Sequence, residues 1–94
     1  MSDFKQEIIK IIRKYFKGEG AEIILFGSRA EGNFTVSSDY DIALKSEKNI
    51  NESLVSRIKE DLENSNIPFK IDLVLYQKVS DDLKQTIDKN GITW

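Results

Sequence analysis

Three aspartates, a glycine and a serine carry the chemistry this sequence has to offer. Gly27-Ser28 follows the apolar run Ile23-Ile24-Leu25-Phe26, and after ten more residues comes Asp39-Tyr40-Asp41; Asp72 lies later, between Phe69 and Tyr76. A Gly-Ser pair where a strand turns into a helix offers close backbone approach, free N–H groups and a hydroxyl, all of which suit a phosphate. Asp39 and Asp41, two residues apart, share one side of an extended strand. Two acids there repel each other and have low strand propensity, an objection that a divalent cation between them removes. Carboxylate oxygens are hard ligands suited to magnesium or manganese, which also bind phosphates and keep several waters. With Asp72 on a neighbouring strand, three carboxylates would converge opposite Gly27-Ser28. They could hold two metals about 4 Å apart with a triphosphate between them, the constellation of phosphoryl or nucleotidyl transfer.

Each residue also has a plainer reading. Gly27 permits a tight turn and Ser28 caps the next turn of helix; Asp39 sits in the loop before the strand with Asp41 exposed; Asp72 faces solvent on an edge strand beside Lys70 and Tyr76. Other phosphate cradles fit worse, because there is no Gly-x-x-x-x-Gly-Lys, and Gly18-x-Gly20 precedes a strand and lacks a third glycine.

The elements that must position these residues follow from periodicity. Phe4, Ile8, Ile11, Ile12 and Tyr15 recur at helical spacing, so residues from about 3 to 17 read as an amphipathic helix capped by Ser2 or Asp3 and stopped by Gly18 or Gly20. Residues 21–26 read as a first strand without alternation, as expected when both faces are covered. Residues 27–38 read as a helical turn and a loop, and residues 40–44 as a second strand. A connection this short favours a mixed or antiparallel arrangement over a parallel crossover. A second long helix is capped near Asn51 and ended by Asn64-Ser65-Asn66, with Pro68 just beyond. Phe69 to Tyr76 alternates as a third strand, and Ser80 caps a last helix to about Lys89, where Gly91 is placed as a left-handed terminator. The expected fold class is α/β, one domain over residues 1–94, with a small mixed β-sheet of three to four strands packed with helices.

Composition narrows the chemistry. With 94 residues the chain holds one core, and 39% hydrophobic against 32% charged residues suits a folded, water-soluble domain. No apolar run approaches the ~20 residues of a membrane span, and no targeting segment is visible, so a cytoplasmic location is expected. Without Cys or His, disulfides, common zinc sites, thiol nucleophiles and histidine acid/base mechanisms are excluded. A pI near 5.1 argues against direct nucleic-acid binding by bulk charge. Phe34, Tyr76 and Trp94 are candidate interface or base-stacking aromatics, with a place in the core or at its rim as the plainer alternative.

Gly27-Ser28, ten residues, Asp39-Tyr40-Asp41 and a later Asp72 resemble the signature of the nucleotidyltransferase superfamily typified by DNA polymerase β. The form Gly-Ser-Arg-Ala-x-Gly and the short chain are similar to its minimal nucleotidyltransferase (MNT) branch. The resemblance implies the nucleotidyltransferase fold and the following roles. Gly27 and Ser28 hold the terminal phosphates of the nucleotide, and Asp39 and Asp41 bind two Mg2+ ions, or Mn2+. Asp72 completes the catalytic metal site and helps deprotonate the acceptor hydroxyl; Arg29 either contacts phosphate or structures the turn. Glu31 stands where many relatives carry a basic residue. The resemblance further implies ATP as nucleotide donor and a HEPN-domain protein as partner and AMP acceptor, with this chain as the antitoxin of the pair. Two other functions are compatible with the same residues: a non-catalytic nucleotide- or metal-binding module that neutralises a partner by occlusion, or a transferase acting on a small molecule or RNA.

Overall fold

Two faces of one sheet are buried here, and the apolar residues divide between them by strand parity. The computed structural model describes residues 4–16, 20–35 and 38–94. Its order is α1 (Lys5–Arg13), β1 (Glu22–Phe26), α2 (Ser28–Glu31), β2 (Tyr40–Lys45), α3 (Glu52–Glu63), β3 (Ile71–Leu75), a 3-10 turn (Tyr76–Lys78), α4 (Asp81–Asn90) and β4 (Ile92–Thr93). The sheet runs β3-β2-β1-β4. Strand β1 is antiparallel to both β2 and β4, while β2 and β3 are parallel. The expected mixed sheet of three to four strands is therefore present with four.

Ile23 and Leu25 of β1, Tyr40, Ile42 and Leu44 of β2, and Leu73 and Leu75 of β3 pack on Ile8 and Ile12 of α1 and Val55, Ile58 and Leu62 of α3. Residues of opposite parity, Ile24, Phe26 and Ala43, form a smaller cluster with Ile87 of α4, joined by Val74 and Leu83. The run Ile23–Phe26 lacks alternation for this reason: both of its faces are covered. Asp41 and Asp72 share the parity of the α4 face and lie at the end of the sheet away from the 3-10 turn. Their strand neighbours stay in the core while their own side chains remain only half-buried.

Local signals act mostly as expected. Asn51 caps α3 by accepting from the Ser53 N–H at 2.8 Å, and the Ser80 hydroxyl caps α4 by accepting from Leu83 N–H. Three expectations need correcting. The third strand begins at Ile71 and ends at Leu75, because the chain turns into the 3-10 segment at Tyr76 even though the apolar alternation continues. Helix α1 begins only at Lys5, and its N-cap is Phe4 in a left-handed conformation with no side-chain cap; the suggested caps Ser2 and Asp3, like the suggested stop Gly18, lie outside the described residues. Gly91 is extended rather than left-handed. A glycine is needed there because a Cβ would lie 2.4 Å from the Ile87 carbonyl oxygen and 2.6 Å from Ile24 Cγ2, so α4 could not turn so closely into β4. That turn delivers Trp94, whose N–H donates to the Ile23 carbonyl at 2.8 Å.

Candidate active site

The sheet register places the acids. Asp41 of β2 is paired with Phe26, the last residue of β1, and on its other side with Asp72 of β3. The order across the sheet is thus Gly27-Ser28, then Asp41, then Asp72. Two carboxylates at matching positions on adjacent strands are destabilising by themselves. The Asp41 carboxyl is pushed above its ordinary value by burial first, then by Asp72 and Asp39, with Lys70 pulling the other way. Asp39 stands exposed immediately before β2, close enough to contribute to that repulsion. All three acids singled out in the sequence therefore meet at one end of the sheet. Among the described residues, no three acidic side chains are gathered tightly enough to cage an ion as they stand.

Gly27 is where the backbone makes room. Its φ of 77° lies in the region that disfavours side chains, and a Cβ built on it would fall 2.2 Å from Asp41 Oδ2. The Asp41 carboxylate is packed over the bare glycine. The Gly27 carbonyl accepts from the Ala30 and Glu31 N–H groups, which starts α2. No side chain caps that helix, so Ser28 is its first residue and not its cap.

Arg29 is built into the turn. Its Nε donates to the Ser38 carbonyl at 2.9 Å, and its guanidinium lies 4.0 Å from the centroid of Tyr40, 5.1 Å from Phe69 and 5.0 Å from Phe34. Tyr40 is buried, and its N–H donates to the Lys70 carbonyl at 3.0 Å. Arg29 thereby ties the chain entering β2 to the turn that carries Ser28, which favours the turn-structuring alternative for this residue. Arg29→Ala is expected to lower Tm by several degrees. The loss combines cation–π contacts of about 0.5–1 kcal/mol each with a charge-assisted hydrogen bond of about 1.5–3 kcal/mol. Lysine should not restore it, since it lacks both the Nε donor and the flat guanidinium; a thermal melt unchanged in Arg29→Ala would show the clamp to be idle.

Periodicity does not single out Lys70 and Lys59 as parts of the site. Lys70 Nζ stands 3.7 Å from Asp72 Oδ1, an exposed pair whose value lies more in steering negative groups than in stability. Both lysines line a cleft of about 820 Å³ that also includes Asp41 and Asp72 and opens along the β3 edge. The spacing of Lys70 and Asp72, two residues apart on a strand, was the available signal. Of the three candidate aromatics, Phe34 is exposed, whereas Trp94 packs edge-on against Tyr40 and Tyr76 donates its hydroxyl to the Asp88 carboxylate.

No helix of the described residues is long and apolar enough to cross a membrane. In sequence, the chain is 29% identical over 89 residues to a Haemophilus influenzae protein named "Probable protein adenylyltransferase MntA", covering 93% of this chain and 78% of that one. In structure, it resembles a toxin–antitoxin crystallised with AMP-PNP, with a TM-score of 0.77 at 28% identity, over 95% of this chain and 71% of that one. The fold also recurs in a complex of a tri-AMPylated Shewanella oneidensis HEPN toxin with an MNT antitoxin, with a TM-score of 0.62 at 24% identity, over 95% and 67% of the two chains. The family model described as Polymerase beta, Nucleotidyltransferase matches residues 6–93, which takes in all of the elements but the first residue of α1, together with Gly27, Ser28, Asp39, Asp41 and Asp72. The matched range spans the strand-turn-strand frame with Gly27-Ser28 at one end, Asp41 packed on the glycine and Asp72 in register beside it, and the chain belongs to the polymerase beta nucleotidyltransferase family.

Proposed function

We propose that this chain transfers AMP from ATP to a hydroxyl of a partner protein, as the antitoxin of a HEPN/MNT toxin–antitoxin pair in the cytoplasm. The observation that carries the reading is the Asp41 carboxylate, packed over Gly27 and in register with Asp72. Three neighbouring acids, with Asp72 and Asp39 adding to burial in raising the proton affinity of Asp41, are the donor set of a hard divalent cation, and Asp39, Asp41 and Asp72 would hold it. Two such ions would activate the attacking hydroxyl and neutralise the leaving group. The similarity to the Haemophilus adenylyltransferase and to the AMP-PNP complex supports ATP as donor.

The chain's own residues have separable tasks. Ser28, with its hydroxyl and the N–H at the start of α2, orients the terminal phosphates close to the bare Gly27 backbone. Asp72, on the far side of Asp41, faces the incoming hydroxyl and accepts its proton. The hydroxyl oxygen bonds to the α-phosphorus as the bond to the β-phosphate oxygen breaks in line, and pyrophosphate leaves. Lys70 offsets part of the negative charge at Asp72. No histidine is needed.

The deciding experiment is intact-mass analysis of this protein with the product of its neighbouring gene, before and after incubation with each nucleoside triphosphate and magnesium. An AMP-sized increment on the partner, absent with Asp39→Asn, is expected. A second reading, a module that binds nucleotide and neutralises its partner by occlusion, uses the same residues; a stable complex with no increment would establish that reading. An increment only on a small molecule or RNA would replace the acceptor. Ser28→Ala is expected to weaken ATP binding about tenfold, the value of one hydrogen bond to a charged group, with little change in Tm. Lost stability at unchanged affinity would instead return Ser28 to a purely structural role.

A further inference from the structure

We infer that the acceptor reaches this site as an extended polypeptide segment paired, as a fifth strand, with the open edge of β3; the inference rests on the protein-acceptor reading above. Its first support is the order across the sheet. Gly27-Ser28, where phosphates would lie, are on the β1 side of Asp41, and Asp72 is on the β3 side. In-line attack brings the acceptor from the side opposite the leaving group, hence across β3. That strand terminates the sheet, and among the described residues no strand pairs with its outer side.

The second support is where the backbone groups point. Tyr40 N–H donates to the Lys70 carbonyl, so in this parallel pair Lys70, Asp72 and Val74 turn their backbone groups toward β2. Ile71, Leu73 and Leu75 therefore direct their N–H and C=O groups outward, although the Leu73 and Leu75 side chains are buried on the other axis. Such a row is a ready template for an added strand, whose main-chain groups match it at every second residue.

The third support is a continuous groove. The cleft that includes Asp41 and Asp72 shares Lys59, Leu73 and Val74 with a second cleft of about 410 Å³, which follows β3 to Leu75 and is walled by Ser56 of α3. A segment lying along it would place one residue beside Asp72, while the residues that follow pair with Leu73 and Leu75. Alternate side chains would face α3 and α4, so only an extended segment with a hydroxyl residue at the Asp72 end presents its oxygen correctly.

The test uses the full chain with the product of the neighbouring gene, and α,β-methylene-ATP in place of ATP to hold the complex before transfer. Hydrogen exchange of the Leu73 and Leu75 amides should slow at least tenfold in the complex. Ser56→Arg, at an exposed helical position, should raise KM for the partner about tenfold or more while ATP affinity stays unchanged. Transfer to the partner with no change in either amide, or with Ser56→Arg indistinguishable from the parent, overturns edge pairing and leaves the transferase reading intact. Failure of any nucleotide to appear on a protein overturns both.

Discussion

Asp41→Asn should lower nucleotidyl transfer by about 10³-fold or more, the scale of losing one electrostatic group aimed at the reacting centre, and should leave Tm the same or higher. The combination is unusual and follows from the cost of the native aspartate. Its carboxyl titrates above the ordinary 3.8 because of burial, then Asp72 and Asp39, with Lys70 as a partial offset. Between that ordinary value and the raised one, the folded state binds more protons than the unfolded chain. Stability therefore declines as pH climbs through the window, and at neutral pH the ionised group is a standing penalty. Asparagine keeps the volume and removes the penalty. Thermal melts across acidic pH should show a shallower decline for the variant, and magnesium should raise Tm more in the parent than in the variant. A variant that melts lower and still transfers AMP would dismantle the account of the acids.

Gly27→Ala is expected to abolish transfer and to destabilise the fold, because the new methyl would have to occupy the position of Asp41 Oδ2, 2.2 Å away, at a φ of 77°. The backbone strain alone costs about 1–2 kcal/mol, and the collision adds to it. With about 4–8 °C of Tm per kcal/mol in a domain of this size, a loss of roughly 10 °C is anticipated. The two sites must also be coupled. In Gly27→Ala/Asp41→Ala the colliding carboxylate is gone, so the double variant should be more stable than the sum of the singles, by an amount a thermodynamic cycle reads directly. Additive effects would mean that the glycine and the carboxylate do not share space.

The parts legible from sequence are those in which side-chain type and spacing speak for themselves. The 3.6 period of α1 and α3, the caps Asn51 and Ser80 and the covered run Ile23–Phe26 each bury apolar area in a pattern that admits one element. The grouping of Asp39, Asp41 and Asp72 was readable because acids inside apolar strands need a partner. Pairing is another matter. That β3 lies beside β2 with Asp41 and Asp72 in register depends on long-range packing that no local period encodes. Strand β4 is two exposed residues held by β1, too short for any alternation to show. Tyr76 kept the strand pattern while the backbone had already turned, and it is held outside the strand by Asp88 and by Lys45 4.6 Å from its ring. At Gly91 the glycine answers tight packing and not a left-handed turn, and the two demands leave the same letter in the sequence.

The packing of Trp94 has a practical consequence. It is the only tryptophan in the chain, and its ring stands 6.3 Å from that of Tyr40, the residue between Asp39 and Asp41, with Lys5 5.8 Å above it. Indole emission excited at long wavelength therefore comes from one position, adjoining the strand that presents the acids, and needs no dye or label. Titrating the protein with magnesium or ATP while following intensity and emission maximum should report, continuously, any shift of Tyr40 and β2, the strand that carries Asp41 on its other face. Tyr40→Phe supplies the control that separates quenching through the phenol from movement of β2 itself.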